Sequence, residues 1–166
     1  AHPELAHDYT AQRKISISHA LRLGGESETL MEPAFEAFYH ARNAVDFYAD
    51  CLPALERLSS RYPLVALTNG NADLEQTGIA RFFTGCISAK TVGTAKPHAA
   101  IFDAARKHLG FNAEEILHIG DDPWLDIEGA QGAGFRSAWV NRKQECWPVE
   151  LKHADITVID LSQLAD

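Results

Sequence analysis

The stretch Ile116–Gly134, ILHIGDDPWLDIEGAQGAG, constrains the fold more than any other part of the chain. It begins with a short apolar run that ends at Gly120 and then presents two adjacent carboxylates, Asp121 and Asp122. Pro123 follows and suits the first turn of a helix, where its missing N–H does no harm. This order predicts a strand–loop–helix unit of an α/β fold, in which the strand is buried in a parallel sheet. Because ligands of open α/β sheets bind at the carboxyl ends of the strands, we expect the acids to lie at a functional site.

The acids Asp121, Asp122 and Asp126 have a structural and a chemical interpretation. A single Asp after a strand commonly caps the next helix. Three carboxylates this close together repel one another unless a cation offsets their charge. Because clustered oxygen ligands suit Mg²⁺, with water and a substrate phosphate in the other positions, we predict a Mg²⁺ site here. The small residues of GAQGAG lie at the wrong end of the helix for a dinucleotide loop, and they predict a close-packed surface with a C-terminal cap.

Length and composition exclude several classes of function. The 166 residues allow one full core with an inserted or appended lobe. The net charge of −8 argues against nucleic acid as a partner, since phosphate backbones require a basic face. The sequence has no apolar run of membrane-spanning length and no recognisable signal peptide, which predicts a cytoplasmic protein with no membrane partner. The cysteines Cys51, Cys86 and Cys146 are widely spaced and predict reduced, buried thiols.

Residues 1–50 predict a helical front without strands. Apolar periodicity indicates one helix over Thr10–Leu23 and a second from Ser27 to about Ala49. Aromatic side chains at helical spacing normally pack against other elements. We therefore expect five of them in the core or at an interface between two lobes: Phe35, Phe38, Tyr39, Phe47 and Tyr48.

From Cys51 onward, short apolar runs alternate with amphipathic segments, which is typical of a parallel sheet. The predicted strands are Leu64–Leu67, Cys86–Ala89, Ile116–Ile119, Ser137–Val140 and Ile156–Ile159. Helices are predicted over Pro53–Tyr62, at Ala72–Thr77, over Ala99–Leu109, after Pro123 and as a last turn at Leu161–Leu164.

Polar residues also follow other predicted strands. The first strand stops at Thr68, Asn69 and Gly70, whose hydroxyl, amide and backbone N–H groups can together hold an anion. A simple turn is the alternative, since all three residues are turn formers. Lys96 precedes Pro97 at the entrance of a helix, where the helix dipole disfavours a cation. This placement favours a role in neutralising an anion or a carboxylate cluster, and a surface lysine is the alternative.

These features occur in a fixed order, with TNG at 68–70, AKP at 95–97, GDD at 120–122 and then Asp126. The order resembles the haloacid dehalogenase-like (HAD) superfamily of phosphatases, whose second, third and fourth motifs look like TNG, Lys96 and GDDPWLDIEGA. The runs YPLVALTNGN and EILHIGDD are similar to those of bacterial members that hydrolyse flavin mononucleotide or a riboflavin-pathway phosphate.

The resemblance covers about residues 51–160 and implies a Rossmann-like parallel sheet over 51–166, with residues 1–50 as part of a helical cap. It implies a Mg²⁺-dependent phosphatase that acts on a small phosphorylated metabolite, such as flavin mononucleotide or a sugar or nucleotide phosphate.

The resemblance also implies the role of each site residue. Thr68, Asn69 and Gly70 would bind the phosphate. Lys96 would hold the phosphoryl charge, with Thr68 and Lys96 as catalytic residues. Asp121, Asp122 and Asp126 would serve the metal, either as ligands or by orienting Lys96.

One part of the family pattern is missing from the sequence. The family's first motif is a strand that ends in Asp-x-Asp and carries the nucleophile, and Asp8-Tyr9-Thr10 lacks the second Asp. We therefore expect the central first strand to be absent from this chain, which would be catalytically incomplete. A fragment of a longer enzyme and a misassigned start are the favoured explanations, and a strand supplied from elsewhere is the third.

Other functions stay open at this point. The chain could be a non-catalytic module that binds phosphate or Mg²⁺, or a metal-independent haloacid dehalogenase, although the acids of GDDPWLD argue against the latter. A response-regulator-like receiver is a more distant alternative, since the helical front fits it poorly. A homodimer is also open, because the aromatic side chains of the front could pack against a second copy.

Overall fold

The computed structural model describes residues 5 and 7–165 and has a helical front followed by alternating strands and helices. The helices are α1 (Tyr9–Gly24), α2 (Met31–Asn43), α3 (Cys51–Ser59), α4 (Ala89–Val92), α5 (Ala99–Leu109), α6 (Gly129–Gly132) and α7 (Ser162–Ala165). The strands are β1 (Val65–Thr68), β2 (Gly85–Ser88), β3 (Leu117–Gly120), β4 (Arg136–Val140) and β5 (Ile156–Val158). A π-helical turn, Pro123–Glu128, leads directly into α6. Among the described helices, none is long and apolar enough to cross a membrane.

The predicted α/β architecture is confirmed. All five predicted strands are present, and no end is displaced by more than one residue. Helix α5 has its predicted bounds, and α1 extends one residue beyond each predicted end. The helix predicted over Pro53–Tyr62 begins earlier, at Cys51, and ends at Ser59.

The second helix is shorter than predicted. It was expected to continue to about Ala49, but α2 ends at Asn43. The Asn43 side chain explains the stop, because its Nδ2 donates to the Tyr39 carbonyl at 2.9 Å while its Oδ1 accepts the backbone N–H of Asp73 at 2.8 Å. A buried amide thereby ties the end of α2 to a loop thirty positions away, a contact that local periodicity does not encode.

The helix predicted at 72–77 is wrong, since this segment forms turns. Asp73 Oδ1 accepts the backbone N–H groups of Glu75 and Gln76, at 2.8 and 3.2 Å, and closes a local turn. The chain leaves that turn through Gly78 at a φ of 80°, a conformation that ends a helix and favours glycine.

Two separate sheets form instead of one continuous sheet. β1 pairs in parallel with β2, with Val65 opposite Gly85. β3, β4 and β5 pair in parallel in that order, with Leu117 opposite Arg136. Within the described residues, the second edges of β1 and β3 have no strand partner. In the family that the sequence resembles, the expected central strand would lie between these two edges.

The core between the two sheets is organised around Phe102 on α5, which is fully buried. Its ring meets the rings of Phe135 and His118 edge-on, with centroids 5.8 and 5.2 Å apart. A Cβ on Gly129 would lie 2.7 Å from the Phe102 ring, so glycine allows α6 to approach α5 closely. The chain turns into β4 through Gly134 at a φ of 81°. These contacts confirm the close packing and the C-terminal cap predicted for the small residues.

Aromatic side chains of the front divide into buried and exposed ones. Phe35 is buried and packs on Tyr39 and Phe38, with ring centroids 5.7 and 6.3 Å apart. Tyr48 is 67% exposed, with the Arg142 guanidinium 4.2 Å from its ring centre. The expectation of core or interface packing is therefore confirmed for Phe35, while Tyr48 is exposed apart from its contact with Arg142. The division into a cap at 1–50 and a core at 51–166 stays a prediction.

The burial predicted for the cysteine thiols is wrong. Cys51 is half-buried, and Cys86 and Cys146 are exposed.

Candidate active site

The turn after β1 exposes a hydroxyl at the carboxyl end of the strand. The Gly70 N–H donates to Thr68 Oγ1 at 2.9 Å, which leaves the hydroxyl hydrogen of Thr68 free to donate outward. The Asn69 side chain is already engaged, because its Nδ2 donates to the Lys96 carbonyl at 3.0 Å and its Oδ1 accepts the Lys96 N–H at 2.7 Å. Asn69 therefore positions the backbone of Lys96, and any phosphate contact from this residue would come from its main chain.

Lys96 is held in the space between β1 and β3. Its Nζ donates to Asp126 Oδ1 at 2.6 Å and to the Leu67 carbonyl of β1 at 3.2 Å. The Lys96 side chain is 13% exposed and that of Asp126 is 6% exposed. The predicted association of Lys96 with the carboxylate cluster is confirmed, and the alternative of a surface lysine is excluded.

Asp126 is the most connected acid of the cluster. Its Oδ1 also lies 3.1 Å from Nε2 of His118, and its Oδ2 accepts the backbone N–H groups of Asp121 and Asp122, each at 3.1 Å. Gly120 makes this approach possible, because a Cβ there would lie 2.3 Å from the Asp126 side chain. The π-helical turn aims Asp126 inward, and turns of this kind recur at functional sites.

The environment of Asp126 keeps its carboxylate ionised. Burial raises the pKa of Asp126, but the hydrogen bond from His118 and the charge of Lys96 lower it by more. The net result is a pKa well below the usual range of an aspartate. Asp126 and Lys96 therefore form a charge-neutral buried pair, and Asp126 offers little free charge to a metal.

The other two acids face solvent at the strand end. The Asp121 side chain is exposed and makes no hydrogen bond within the described residues, while its carbonyl accepts the Trp139 indole N–H at 2.9 Å. Asp122 Oδ1 caps the next turn by accepting the N–H groups of Trp124 and Leu125, both at 2.9 Å. The helix-capping interpretation therefore holds for Asp122, and Asp121 is the carboxylate available to a cation.

The donor set agrees only in part with the predicted Mg²⁺ site. Among the residues that the structure describes, no three His, Cys, Asp or Glu side chains converge closely enough to hold a metal. Mg²⁺ demands octahedral oxygen coordination, so Asp121 and the free oxygen of Asp122 would need further ligands. The assignment of Asp121, Asp122 and Asp126 to a metal stays a prediction.

Sequence reasoning did not assign a role to His118, Arg42 or Asn71. The sequence could have indicated His118, since it is the one polar side chain in the apolar run before Gly120. No sequence pattern indicates Arg42, because it reaches the site from the separate helix α2. Its Nε donates to Asn71 Oδ1 at 2.9 Å, and its Nη2 lies 3.1 Å from where a Cβ on Gly70 would be.

Comparison with known proteins places this geometry in a family. A family model of haloacid dehalogenase-like hydrolases matches residues 5–134. The chain is 33% identical over 144 residues to 5-amino-6-(5-phospho-D-ribitylamino)uracil phosphatase of Escherichia coli, covering 84% of this chain and 60% of that protein. It is 34% identical over 125 residues to phosphoserine phosphatase of Thermus thermophilus, covering 72% of this chain and 50% of that protein. The chain thus spans less than two thirds of the length of these curated relatives.

A solved structure shares the fold nearly throughout. The 2-haloacid dehalogenase of Pseudomonas syringae aligns with a TM-score of 0.91 and 34% sequence identity, covering 98% of this chain and 72% of that one. The relatives therefore include both phosphatases and a dehalogenase.

Proposed function

Because the chain belongs to the haloacid dehalogenase-like hydrolase family, we propose that the natural protein containing it is a Mg²⁺-dependent phosphomonoester hydrolase. One observation carries the proposal: the Lys96 ammonium is fixed by Asp126 and the Leu67 carbonyl, between two strand ends that also present Thr68 and Asp121. A hydroxyl donor and a cation fixed at one strand edge suit the charge of a transferring phosphoryl group. The finer match to riboflavin-pathway phosphatases makes a small phosphorylated metabolite the proposed substrate.

The break between the two sheets gives the nucleophile its place. The unpaired edges of β1 and β3 can each form a parallel ladder with one extended segment. The carboxyl end of that segment would emerge between Thr68 and Asp121. We place a carboxylate nucleophile at that end, where it would attack phosphorus and be released later by water.

Two side chains of this chain would act directly on the phosphoryl group of the substrate. The Thr68 hydroxyl would donate to a phosphate oxygen, and Lys96 would stabilise the negative charge of the phosphoryl group through the reaction. Asp126 keeps Lys96 at the site. Asp121 and the free oxygen of Asp122 would hold Mg²⁺, which would supply the charge neutralisation that an anionic nucleophile needs to approach an anionic phosphate.

Hydrolysis of para-nitrophenyl phosphate by the natural protein, with Mg²⁺ and with a chelator, tests this proposal. We expect turnover that needs Mg²⁺ and that falls by about 10²-fold or more in Lys96→Met, the scale for loss of one preorganised charge donor. Lys107→Met is the matched control, because Lys107 is exposed on α5 and its one ion-pair partner among the described residues is the surface residue Asp103. Turnover that is insensitive to both the chelator and Lys96→Met would contradict the proposal.

A dehalogenase is the second candidate, favoured by the close structural match to a 2-haloacid dehalogenase. It predicts chloride release from 2-chloropropionate that persists in the chelator. The exposed carboxylate of Asp121, which such metal-free chemistry does not need, favours the phosphatase.

A further inference from the structure

A cavity of about 800 Å³ lies beside the turn that ends β1. Helices α1 and α2 form its walls, and Asn71 closes it on the side of the turn. Its volume lies within the range of sites that hold small metabolites. A substrate whose phosphate contacts Thr68 would extend its leaving group into this space.

Two arginines give the cavity its chemical character. Arg13 of α1 and Arg42 of α2 both line it, and among the residues that the structure describes no Asp or Glu does. Within the described residues, neither guanidinium forms an ion pair: Arg13 lies over the Phe38 ring at 4.5 Å, and Arg42 donates only from Nε, to Asn71. Asp8, the acid nearest in sequence to α1, is engaged as the helix cap.

Other cations of this chain, whose net charge is −8, do have an acidic partner, as Lys14 has in Glu32 and Lys96 has in Asp126. Two unpaired guanidinium groups lining one cavity instead create a local positive potential that attracts anions. Guanidinium groups also match the planar geometry of a carboxylate.

Arg42 lies next to the predicted phosphate site. A Cβ on Gly70 would be 3.1 Å from Arg42 Nη2 and 3.4 Å from Thr68 Oγ1, so the guanidinium and the hydroxyl flank the same point. Glycine at this position leaves room for the Arg42 side chain above the turn. The four N–H groups of Arg42 beyond Nε are unused within the described residues and are available to a ligand.

We propose that this cavity binds the leaving group of the substrate, and that Arg13 and Arg42 select a leaving group that carries a second anionic group, either a carboxylate or a second phosphate. The proposal rests on the proposed phosphatase function. Tyr9, Gln12 and Phe38 would contact the uncharged part of the leaving group.

Pairs of substrates that differ by one anionic group provide the test. We would measure kcat/KM of the natural protein for phosphoserine and for phosphoethanolamine, which lacks the carboxylate of phosphoserine. A second pair, propane-1,3-diol bisphosphate against the monophosphate, adds a phosphate. We expect a preference of about tenfold or more for the anionic member of at least one pair, as a charge-assisted hydrogen bond would give.

Variants assign that preference to the two arginines. Arg42→Met and Arg13→Met should each reduce the ratio within the preferred pair by about threefold or more, and Arg42→Lys should retain part of it because the charge remains. Arg22→Met is the matched control on α1, since Arg22 lies outside the cavity and pairs with Glu28. Its ratio should equal that of the parent.

Failure of this inference is distinct from failure of the proposed function. Turnover of all esters with equal ratios in parent and variants would overturn the leaving-group proposal alone. An equal loss on both members of a pair in Arg42→Met would overturn it too, because it would place Arg42 on the phosphoryl group. Absence of turnover with any ester, para-nitrophenyl phosphate included, would overturn both.

Discussion

Replacing Asp126 with Asn should destabilise the protein by about 3 kcal/mol, the lower end of the 3–5 kcal/mol cost of removing one partner from a buried ion pair. Asp126 accepts hydrogen bonds from Lys96 and from the Asp121 and Asp122 N–H groups, and its side chain is 6% exposed. An amide has one acceptor oxygen in place of two, so either Lys96 or the backbone pair loses its acceptor. In both orientations the Lys96 ammonium stays buried without a counter-charge. The contact with His118 can persist in either orientation, because His118 Nε2 can donate to the amide oxygen or accept from the amide nitrogen, depending on its tautomer.

Urea unfolding of the natural protein at neutral pH measures this change. The control is Asp103→Asn, which removes a contact of similar length, 2.8 Å to Arg106, from a carboxylate that is 42% exposed. Exposed pairs contribute about 1 kcal/mol or less, so the control should cost far less than Asp126→Asn. An Asp126→Asn variant that unfolds within 1 kcal/mol of the parent would refute the assignment of a buried, charge-dependent pair.

The same pair predicts a direction in pH. Because the pKa of Asp126 is lowered on folding, its stabilisation is complete above the ordinary carboxyl pKa near 4 and is lost as the pH falls below it. The difference in unfolding free energy between parent and Asp126→Asn should therefore shrink on acidification below about pH 4. A difference that grows in acid would contradict the sign of this shift.

Two further perturbations follow from the packing. Gly120→Ala should lower the free energy of unfolding by about 1–3 kcal/mol and reduce turnover, since its Cβ would lie 2.3 Å from the buried Asp126 side chain. The control is Gly132→Ala, which should change neither quantity in the same urea and turnover assays, because no atom lies within 4 Å of its new Cβ. Asp50→Asn should remove a stabilisation of at most about 2 kcal/mol, because a hydrogen bond from Arg142 lowers the pKa of Asp50 to about 2. This contribution is present above pH 4 and lost as the pH falls toward 2, and acid titration of the parent against the variant measures it.

The position of each strand along the chain, and of the candidate site residues at the strand ends, could be predicted from the sequence because both depend on local patterns. Short apolar runs that end in TNG and GDD fix where β1 and β3 stop, and Pro97 marks the start of α5 within two residues. The unfavourable position of the Lys96 charge at a helix entrance predicts that it lies beside an anion or the carboxylate cluster. The contact of Lys96 with Asp126 agrees with that prediction.

The parts that failed depend on contacts distant in sequence. The end of α2 is set by the hydrogen bond from the Asp73 N–H to Asn43, and the cavity arginine Arg42 joins the site across 29 positions through Asn71. No periodicity or turn signal reports such contacts. The separate roles of the acids could not be predicted from the sequence either, because Asp122 and Asp126 are both aspartates close to the end of β3. In the structure, Asp122 caps a turn and Asp126 pairs with Lys96.

A crystal structure of the natural protein soaked with tungstate, an electron-dense analogue of phosphate, would show directly whether this strand edge is the phosphate site. We expect one anion at the carboxyl ends of β1 and β3, with its oxygens about 3 Å from Thr68 Oγ1 and Lys96 Nζ. Tungstate bound elsewhere, with these two groups still contacting only the protein, would contradict the assignment of this strand edge as the phosphate site.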